Sequence, residues 1–540
     1  MSDIKDILIK DMNKEGTTSS IWGPTGTVIC RCTTKNHVKI LKDQWFITYG
    51  DQKWKKKAHD HLAKMTIYPP DARQAFEYTI DWLNDKACAR KSGLGTKLPW
   101  DPEWIVETLS DSTVYMAYYT IARIINEKDI QPEQLPNEIF DYLFRNKATL
   151  EEAVEKSGLD EAIVKEMKEE FEYFYPPDYR ASAKELIFNH FTFYIFQHLA
   201  LFPKGHYPLE IEANGMIMIE GDKMSKSGGN SLTLKDLIDR FGVDASRFGE
   251  AYAGEGYADA SFRFADTEAA GKRLKQMFKE LTEMKFSTEE RRIDQWIISR
   301  LLRKISETYD HYMNQRTRSA IGSGFFDILN DLKWYENRGG KVKGPGYKTA
   351  MLTLIDLMTP IVPHFAEEVN AVVRKEKTFA AFRSFPKANK KLIKIKMEDE
   401  EQLIKDVKVD IEGIFNAIKK QEKKSLKSIE IFIAPKWMYK VLKIRRDKPD
   451  NLIKAIMAED DIRKVGNAAV KYAQKLTKHP GVDAKLNDKS EHEALTDAID
   501  FFKREFNAKI VNVVFAAKAD HPKAKVAEPG RPGIALTFEE

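Results

Sequence analysis

Cysteine is almost absent from this sequence. The 540 residues contain three, Cys30, Cys32 and Cys88, which is too few for a disulfide framework and indicates a reducing compartment. Cys30 and Cys32 are spaced as in a metal-binding knuckle, but a closed zinc site needs four ligands. We therefore interpret them as structural thiols and predict no metal site.

Long hydrophobic runs are also missing. The most apolar stretch, residues 191–202, includes Gln197 and His198 and, at about a dozen residues, is too short to span a bilayer. The first sixteen residues alternate charged with aliphatic side chains, and without an uninterrupted apolar core they do not form a signal peptide. We therefore predict a soluble, cytoplasmic protein with no membrane association.

Charge is nearly balanced over the whole chain, with a net value of +5, but it is unevenly distributed. Residues 386–540 carry roughly +8 by count, so the rest of the chain is slightly acidic. A basic C-terminal segment suits a polyanion such as RNA. A lysine-rich solvated surface explains the same charge equally well, and charge alone does not decide between the two.

The length predicts three or more domains. Up to about residue 265, strands alternate with helices, which favours a parallel α/β sheet. Within this part we predict a helical inserted hairpin over 131–175 and a strand over 211–219. Over 179–202 we predict a helix followed by a strand that contains Phe191, Phe193 and Ile195.

After residue 265 the pattern becomes almost entirely helical. Apolar residues recur at helical spacing over 293–313, 320–334 and 350–373, which predicts a helical bundle. A lysine-rich connector follows from residue 386. Beyond it the sequence mixes helices with strands predicted at 428–434, 510–516 and 534–538, which indicates a small α+β domain.

One short motif carries the clearest chemistry: Lys223-Met224-Ser225-Lys226-Ser227, followed by two glycines. Two lysines three positions apart suit binding to a triphosphate, and the serines can donate hydrogen bonds to it. The glycines permit a mobile loop that closes on a triphosphate. The alternative interpretation is a surface loop that is rich in lysine and serine by chance.

This pentapeptide resembles the second ATP-binding motif of the class I aminoacyl-tRNA synthetases. Further similarity, to archaeal and eukaryotic-type leucyl-tRNA synthetases, extends from about Val28 to the end of the chain. It is specific at separated points: Asp81-Trp82, Gly93 to Thr96, Leu98 to Trp100, Ser110 to Thr113, Tyr175 to Phe196, Asn214-Gly215, Met358 to Val369 and Glu528 to Phe538.

The resemblance implies a multidomain α/β plus α fold. It implies a remnant of an inserted editing-domain region over 1–30, the C-terminal half of a Rossmann-like class I catalytic domain over 31–265, and an anticodon-binding-type helical bundle over 266–385. A linker over 386–400 and a C-terminal α+β tRNA-binding domain over 401–540 complete this arrangement.

The resemblance also implies the site residues. Lys223 and Lys226 would be catalytic, and the residues expected to bind ATP are Lys223, Met224, Ser225, Lys226, Ser227, Glu185, Asn189 and His190. His190 could equally be a buried structural histidine. ATP with Mg²⁺ is expected as a substrate, and no tightly bound cofactor is predicted.

Class I synthetases of this kind also carry a His-x-Gly-His motif, and none of the eleven histidines of this sequence lies in one. Nearly all of the editing domain is missing too. We therefore predict the β subunit of a split leucyl-tRNA synthetase, which works with a separate N-terminal α subunit, tRNA(Leu), ATP and leucine.

The sequence departs from the family pattern at three positions, with Gly228 where lysine is usual, Ala183 where glycine is usual and Glu185 where aspartate is usual. These departures leave other interpretations open. The chain could be a non-catalytic tRNA-binding paralogue, half of a related isoleucyl, valyl or methionyl enzyme, or a fragment of a longer chain.

Overall fold

A computed structural model describes residues 2–18, 23, 25–30, 32–38, 43–224, 232–419, 425–447, 451–479 and 483–539. The chain divides into two compact units. The first comprises Met1–Thr66, Arg73–Arg180 and Glu185–Glu210, and the second comprises Ile67–Ala72, Ala181–Lys184 and Ile211–Glu540. Among the described helices, none is long and apolar enough to cross a bilayer.

The first unit is mainly helical. Its α-helices are Ser2–Lys14, Gln52–Leu62, Arg73–Trp82, Thr108–Asp111, Tyr115–Glu127, Asn137–Phe140, Leu150–Ser157, Glu161–Phe174 and His190–Leu201. Two small antiparallel sheets accompany them: Phe46–Ile47 pairs with Lys86–Ala87, and Asp101–Val106 lies between Ala89–Arg90 and Lys97–Leu98.

The predicted helical hairpin over 131–175 is confirmed. Thr149 and Glu152 form a reciprocal capping box at the start of Leu150–Ser157, and Gly158 ends that helix in the left-handed conformation at φ 66°. Both features are standard signals for helix termini. The apolar faces of these helices pack with Tyr115–Glu127 around Ile121, Ile139 and Val164.

The prediction of a helix followed by a strand over 179–202 is wrong, because the order is reversed. Tyr179–Ala183 is a strand, Lys184–Phe188 is a 3₁₀ turn, and His190–Leu201 is a helix that contains Phe191, Phe193 and Ile195. All three side chains are fully buried. A helix that is buried on every side shows no 3.6-residue periodicity, so its sequence resembles that of a buried strand.

The α/β part of the second unit contains two three-stranded sheets. In one, Glu210–Asn214 lies between Thr66–Tyr68 and Tyr179–Ala183. In the other, Ile217–Ile219 pairs in parallel with Ala260–Phe262 and antiparallel with Asp222–Lys223. The strand predicted over 211–219 is thus two strands that belong to different sheets. The helices Leu234–Phe241 and Val243–Ala253 lie between these strands in sequence.

The predicted bundle is confirmed in the second unit. Its helices are Phe264–Glu283, Arg292–Met313, Thr317–Ile321, Ile328–Gly339, Pro345–Met358 and Pro363–Val369. They bury a shared core that includes Trp296, Tyr335 and Tyr347. The helix predicted over 350–373 is broken after Met358, because Pro363 starts a new helix at its first position, where proline is best tolerated.

A long helix, Ile395–Lys419, follows the bundle. The linker predicted over 386–400 overlaps its first residues, and Glu400 and Glu401 are buried. Arg338 of the bundle donates to both carboxylate oxygens of Glu401, at 3.0 and 3.1 Å. This helix is therefore attached to the bundle from its start. The domain boundaries given above stay predictions.

The last part of the chain has the predicted α+β character. Leu426–Ile433 is the central strand of a sheet, parallel to Ile510–Phe515 and antiparallel to Gly533–Phe538. These strands coincide with the three predicted from sequence. The helices are Lys436–Arg446, Leu452–Met457, Asp460–Arg463, Asn467–Lys478, Asp488–Asp497 and Ile499–Phe506.

Candidate functional site

The predicted lysine motif begins at the end of a tight hairpin. Strand Ile217–Ile219 turns back through Glu220 and Gly221 into Asp222–Lys223, so that Lys223 lies opposite Met218. Glu220 and Gly221 have φ values of 51° and 89°, the pattern of a two-residue hairpin turn with positive φ at both central residues. Lys223 is exposed and Met224 is half-buried.

Ser225, Lys226 and Ser227 lie outside the described residues. The chain becomes described again at Leu232, just before helix Leu234–Phe241. Thr233 and Asp236 cap this helix reciprocally, because the Asp236 N–H donates to Thr233 Oγ1 at 3.2 Å and the Thr233 N–H donates to Asp236 Oδ2 at 3.1 Å. A hairpin therefore precedes the motif and a well-capped helix follows it.

Asn189 and His190 lie together at the start of helix His190–Leu201. The Asn189 side chain caps the helix by accepting a hydrogen bond from the His190 N–H. Asn189 is half-buried and His190 is buried. Asn189 therefore has a structural role as the N-cap of this helix, in keeping with the preference of asparagine for that position.

The His190 ring is held by two partners. Arg180 Nη2 lies 2.8 Å from its Nε2, and Ser112 Oγ lies 3.4 Å from its Nδ1. Arginine is a donor only, so Nε2 must be unprotonated and accept, which leaves the proton on Nδ1. Burial, and then the positive charge of Arg180, lower the pKa of His190 to about 4. His190 is therefore a neutral, anchored ring at physiological pH.

Glu185 differs from these two residues. It lies on the 3₁₀ turn Lys184–Phe188 and its side chain is exposed. Within the described part of the chain, its carboxylate forms no hydrogen bond or ion pair with another side chain. Glu185 is therefore available to accept hydrogen bonds from hydroxyl groups of a ligand.

The structure brings the predicted residues together in two groups. Glu185, Asn189 and His190 follow one another along the turn and helix of the first unit, whereas Lys223 and Met224 belong to the hairpin of the second unit. Among the described residues, no group of three or more His, Cys, Asp or Glu side chains is arranged to hold a metal ion.

Sequence reasoning missed three charged residues near these groups. Arg180 fixes the protonation of His190, and Lys184 forms an ion pair with Asp259 at 2.7 Å. Arg180 and Lys184 lie shortly before Glu185 in the sequence, so closeness in sequence was the available signal. Asp259 has no such signal, because 75 residues separate it from Lys184.

Two family descriptions match the chain. "tRNA synthetases class I (I, L, M and V)" matches residues 8–262, and "Anticodon-binding domain of tRNA ligase" matches residues 294–433. The second match includes the bundle from Asp294 and continues through the long helix to the end of strand Leu426–Ile433.

Curated relatives are leucine–tRNA ligases of archaea. The chain is 38% identical to that of Methanocaldococcus jannaschii and 36% identical to that of Pyrococcus furiosus, in each case over 99% of this chain and 56% of the relative. It is 34% identical to that of Archaeoglobus fulgidus, over 94% of this chain and 53% of the relative. The chain thus spans about half the length of the curated relatives it matches.

Among solved structures, the chain resembles the Agrobacterium radiobacter K84 agnB2 LeuRS of a ternary complex with tRNA and LeuAMS. The TM-score is 0.40 at 18% identity, over 57% of this chain and 38% of that chain.

Proposed function

We propose that this chain, which has a class I tRNA synthetase domain and an anticodon-binding domain and is homologous to leucine–tRNA ligases, supplies the lysine loop and the tRNA-binding part of a leucyl-tRNA synthetase. The observation that carries the proposal is the similarity to leucine–tRNA ligases over 99% of the chain. The complete enzyme would activate leucine with ATP, used with Mg²⁺ as a substrate, and transfer it to tRNA(Leu).

The lysine loop, residues 223–231, would act on the triphosphate. In amino-acid activation the leucine carboxylate attacks the α-phosphorus of ATP and pyrophosphate leaves, so the enzyme needs no nucleophile of its own. Lys223 and Lys226 would neutralise the charge that develops on the leaving phosphates, and Ser225 and Ser227 would donate hydrogen bonds to them. Positioning and charge stabilisation are the main sources of catalysis in such transfers.

The remaining predicted residues would bind the nucleoside part of ATP. Exposed Glu185 can accept hydrogen bonds from ribose hydroxyls. His190 is neutral, and both of its ring nitrogens have protein partners. We therefore propose that it orients Arg180 and the start of helix His190–Leu201, and that it does not place a positive charge next to ATP. Asn189 would hold the same helix start.

Leucine activation also needs residues that this sequence does not contain, since no His-x-Gly-His motif occurs in its 540 residues. We propose that a separate N-terminal chain supplies this motif, the leucine pocket and the editing site. Editing is needed because one pocket can distinguish leucine from isoleucine or valine by only a few kcal/mol. The C-terminal half of a Rossmann-like fold would then be completed by that chain.

A non-catalytic tRNA-binding protein is the second candidate. The observation that favours it is Gly228, which removes one positive charge from the loop relative to the family pattern. The retained lysines at 223 and 226 oppose it, because a loop that no longer binds ATP has no need of both.

The decisive experiment is leucine-dependent ATP–pyrophosphate exchange. It would use this chain alone, a candidate N-terminal half alone, and the two together, with isoleucine, valine and methionine as competing substrates. We expect exchange only with leucine and only in the mixture. Exchange by this chain alone would contradict the need for a partner. No exchange in any arm, with tRNA still bound, would favour the non-catalytic protein.

A further inference from the structure

Asp259 connects segments of the second unit that are far apart in sequence. It ends the loop of residues 254–259, which we call the aspartate loop, and directly precedes strand Ala260–Phe262. Its Oδ1 accepts from Lys184 Nζ at 2.7 Å and from the Met216 N–H at 2.9 Å. One carboxylate oxygen therefore connects two places in the second unit. Lys184 directly follows strand Tyr179–Ala183, and Met216 directly precedes the lysine hairpin, residues 217–223.

Lys184 is attached to the aspartate loop at more than one point. Besides its ion pair with Asp259, its Nζ donates to the Tyr257 carbonyl at 3.2 Å and lies 5.3 Å from the centroid of the Tyr257 ring. The Lys184 side chain is 28% exposed and the Asp259 side chain 40% exposed, so the pair lies at the surface and salt screens part of its attraction; the hydrogen bonds to the loop backbone add to the attachment. Lys184 is also the residue immediately before Glu185, the proposed ribose ligand.

The backbone of the aspartate loop lies directly against residues 214–216. The Gly215 N–H donates to the Gly256 carbonyl at 3.0 Å, and the Ala260 N–H donates to the Met216 carbonyl at 2.8 Å. A Cβ on Gly215 would lie 1.9 Å from the Ala258 carbonyl oxygen. Only glycine fits there, so the position of the loop relative to the hairpin is defined closely.

The connection continues from Asp259 to the first lysine of the motif. Ser261, two residues after Asp259, pairs with Met218, which pairs on its other side with Lys223. The pKa of Asp259 is lowered, first by the hydrogen bonds from Lys184 and the Met216 N–H and then by the charges of Lys184 and Lys223. The carboxylate is thus ionised and faces two cations, one of them in the motif.

The other end of the aspartate loop is anchored in the bundle. Glu255 accepts hydrogen bonds from the Ser319 N–H at 2.8 Å and from Ser319 Oγ at 2.7 Å. Ser319 lies in helix Thr317–Ile321. The loop is therefore fixed at both ends, and Asp259 presents its charge from a defined position.

We propose that Asp259 is a positioning residue for amino-acid activation, which holds the lysine hairpin and the segment before Glu185 in the geometry that ATP requires. This inference rests on the proposed function. Asp259 does not contact the reacting atoms; it acts through the Lys184 side chain and the Met216 backbone. A displacement of about 1 Å in such a site can cost about 10²-fold in rate, so loss of the carboxylate should lower kcat strongly.

The first test does not depend on enzymatic activity. Amide hydrogen exchange of the full chain alone, read by mass spectrometry, would compare the wild type with Asp259→Ala, Asp259→Asn and Asp239→Asn. Asp239 is the matched control because its ion pair with Lys235 lies at the surface, where the Lys235 and Asp239 side chains are 81% and 63% exposed. We expect at least tenfold faster exchange at amides 214–223 in Asp259→Ala, a smaller change in Asp259→Asn, which keeps an acceptor for Met216, and none in Asp239→Asn.

The second test is ATP–pyrophosphate exchange with the completing N-terminal half. We expect Asp259→Asn to lower kcat about 10- to 100-fold with the KM for leucine within about twofold, Asp259→Glu to recover part of the loss, and Asp239→Asn to behave as wild type. An inactive wild type would count against the proposed function. Amide exchange alone would then decide whether Asp259 holds Lys184 and the lysine hairpin together. An active wild type with an equally active Asp259→Asn would overturn the positioning role, as would unchanged amide exchange in Asp259→Ala.

Discussion

At the scale of single residues, the protonation of His190 makes a measurable contribution to stability. The folded protein keeps this histidine neutral because burial and Arg180 lower its pKa from 6.5 to about 4. The unfolded chain binds the proton near pH 6.5. The contribution of the neutral His190 ring to the free energy of unfolding is therefore fully present above pH 6.5 and is lost as the pH falls from 6.5 towards 4.

We predict that His190→Asn reduces this pH dependence. The lowering of the His190 pKa from 6.5 to about 4 corresponds to a loss of about 2 to 3 kcal/mol in the free energy of unfolding between pH 7 and pH 4. The measurement is the urea midpoint of tryptophan fluorescence at pH 7, 6 and 5. The wild type should lose more stability than the variant, and exposed His37→Asn should behave as wild type. Equal losses in wild type and His190→Asn would contradict the inferred neutral ring.

Lys226 supports a prediction about rate. If it neutralises charge on the leaving pyrophosphate, Lys226→Ala should lower leucine activation by about 10²-fold or more, as loss of one stabilising donor commonly does. ATP–pyrophosphate exchange in the reconstituted enzyme measures this. Lys235→Ala is the control, because Lys235 lies nearby in sequence and its side chain is 81% exposed in a surface pair. An unchanged rate in Lys226→Ala would remove the mechanistic claim.

Site residues differ in how well the sequence predicts them. Lys223 to Ser227 form a contiguous motif, so the sequence alone is enough to predict them as site residues. Asp259 and Lys184 meet only because the aspartate loop packs against residues 214–216. A single sequence contains no signal for a contact between residues so far apart, and a structure is needed to find it.

At the scale of secondary-structure elements, the long helix Ile395–Lys419 depends on buried charge. The side chains of Arg338 and Glu401 are 6% and 3% exposed, and Trp334 Nε1 also donates to Glu401 at 2.9 Å. Arg338 forms a further ion pair with Asp497 at 2.8 Å and lies over the Phe501 ring. One arginine thus joins the bundle, the long helix and the C-terminal helices.

We predict that Glu401→Leu destabilises the second unit by about 3 kcal/mol or more, because it leaves a buried guanidinium without its main partner. The double variant Arg338→Met/Glu401→Leu should recover part of this loss. Urea unfolding followed by circular dichroism measures both. Glu268→Gln, which breaks an exposed pair with Lys272, should cost less than about 1 kcal/mol. A loss for Glu401→Leu as small as that of the control would show that the buried pair contributes little.

Elements with a solvent-facing side were predicted better than helix His190–Leu201. The bundle helices show clear helical periodicity. The central C-terminal strand Leu426–Ile433 shows alternation only in its first part, before the consecutive buried residues Ile431 to Ile433. Helix His190–Leu201 has nine buried residues among its twelve, so alternating aromatic residues suggested a strand. The break after Met358 escaped prediction for another reason: the apolar pattern continues across it.

At the scale of the whole molecule, charge and length give complementary information. The chain matches leucine–tRNA ligases over 94% to 99% of its residues but spans about half of their length. The C-terminal segment is the basic part of the chain, since residues 386–540 carry roughly +8. Under the proposed function, this chain would bind tRNA through its basic region and the part that matches the anticodon-binding domain of tRNA ligases, and leucine activation would need residues of another chain.

We therefore predict that this chain alone binds tRNA(Leu) and that salt weakens the binding steeply. Lysines and arginines that contact phosphates release bound counterions, so the logarithm of affinity falls linearly with the logarithm of salt concentration. For about five such contacts, raising the salt from 50 to 200 mM should weaken binding by about 10²- to 10³-fold. Filter binding or fluorescence anisotropy with labelled tRNA measures the slope.

Two controls separate recognition from simple charge attraction. A double-stranded RNA of equal length should bind more weakly at 200 mM salt, because the bundle and C-terminal domain are expected to recognise the shape and unpaired bases of tRNA. Lys226→Ala should leave tRNA affinity within about twofold, since its proposed partner is the triphosphate and each phosphate contact contributes only a small part of the total. If tRNA and duplex bind equally, the basic segment acts as a nonspecific polycation. If affinity is independent of salt, phosphate contacts do not hold the tRNA, and the positive charge of residues 386–540 is a solvated surface.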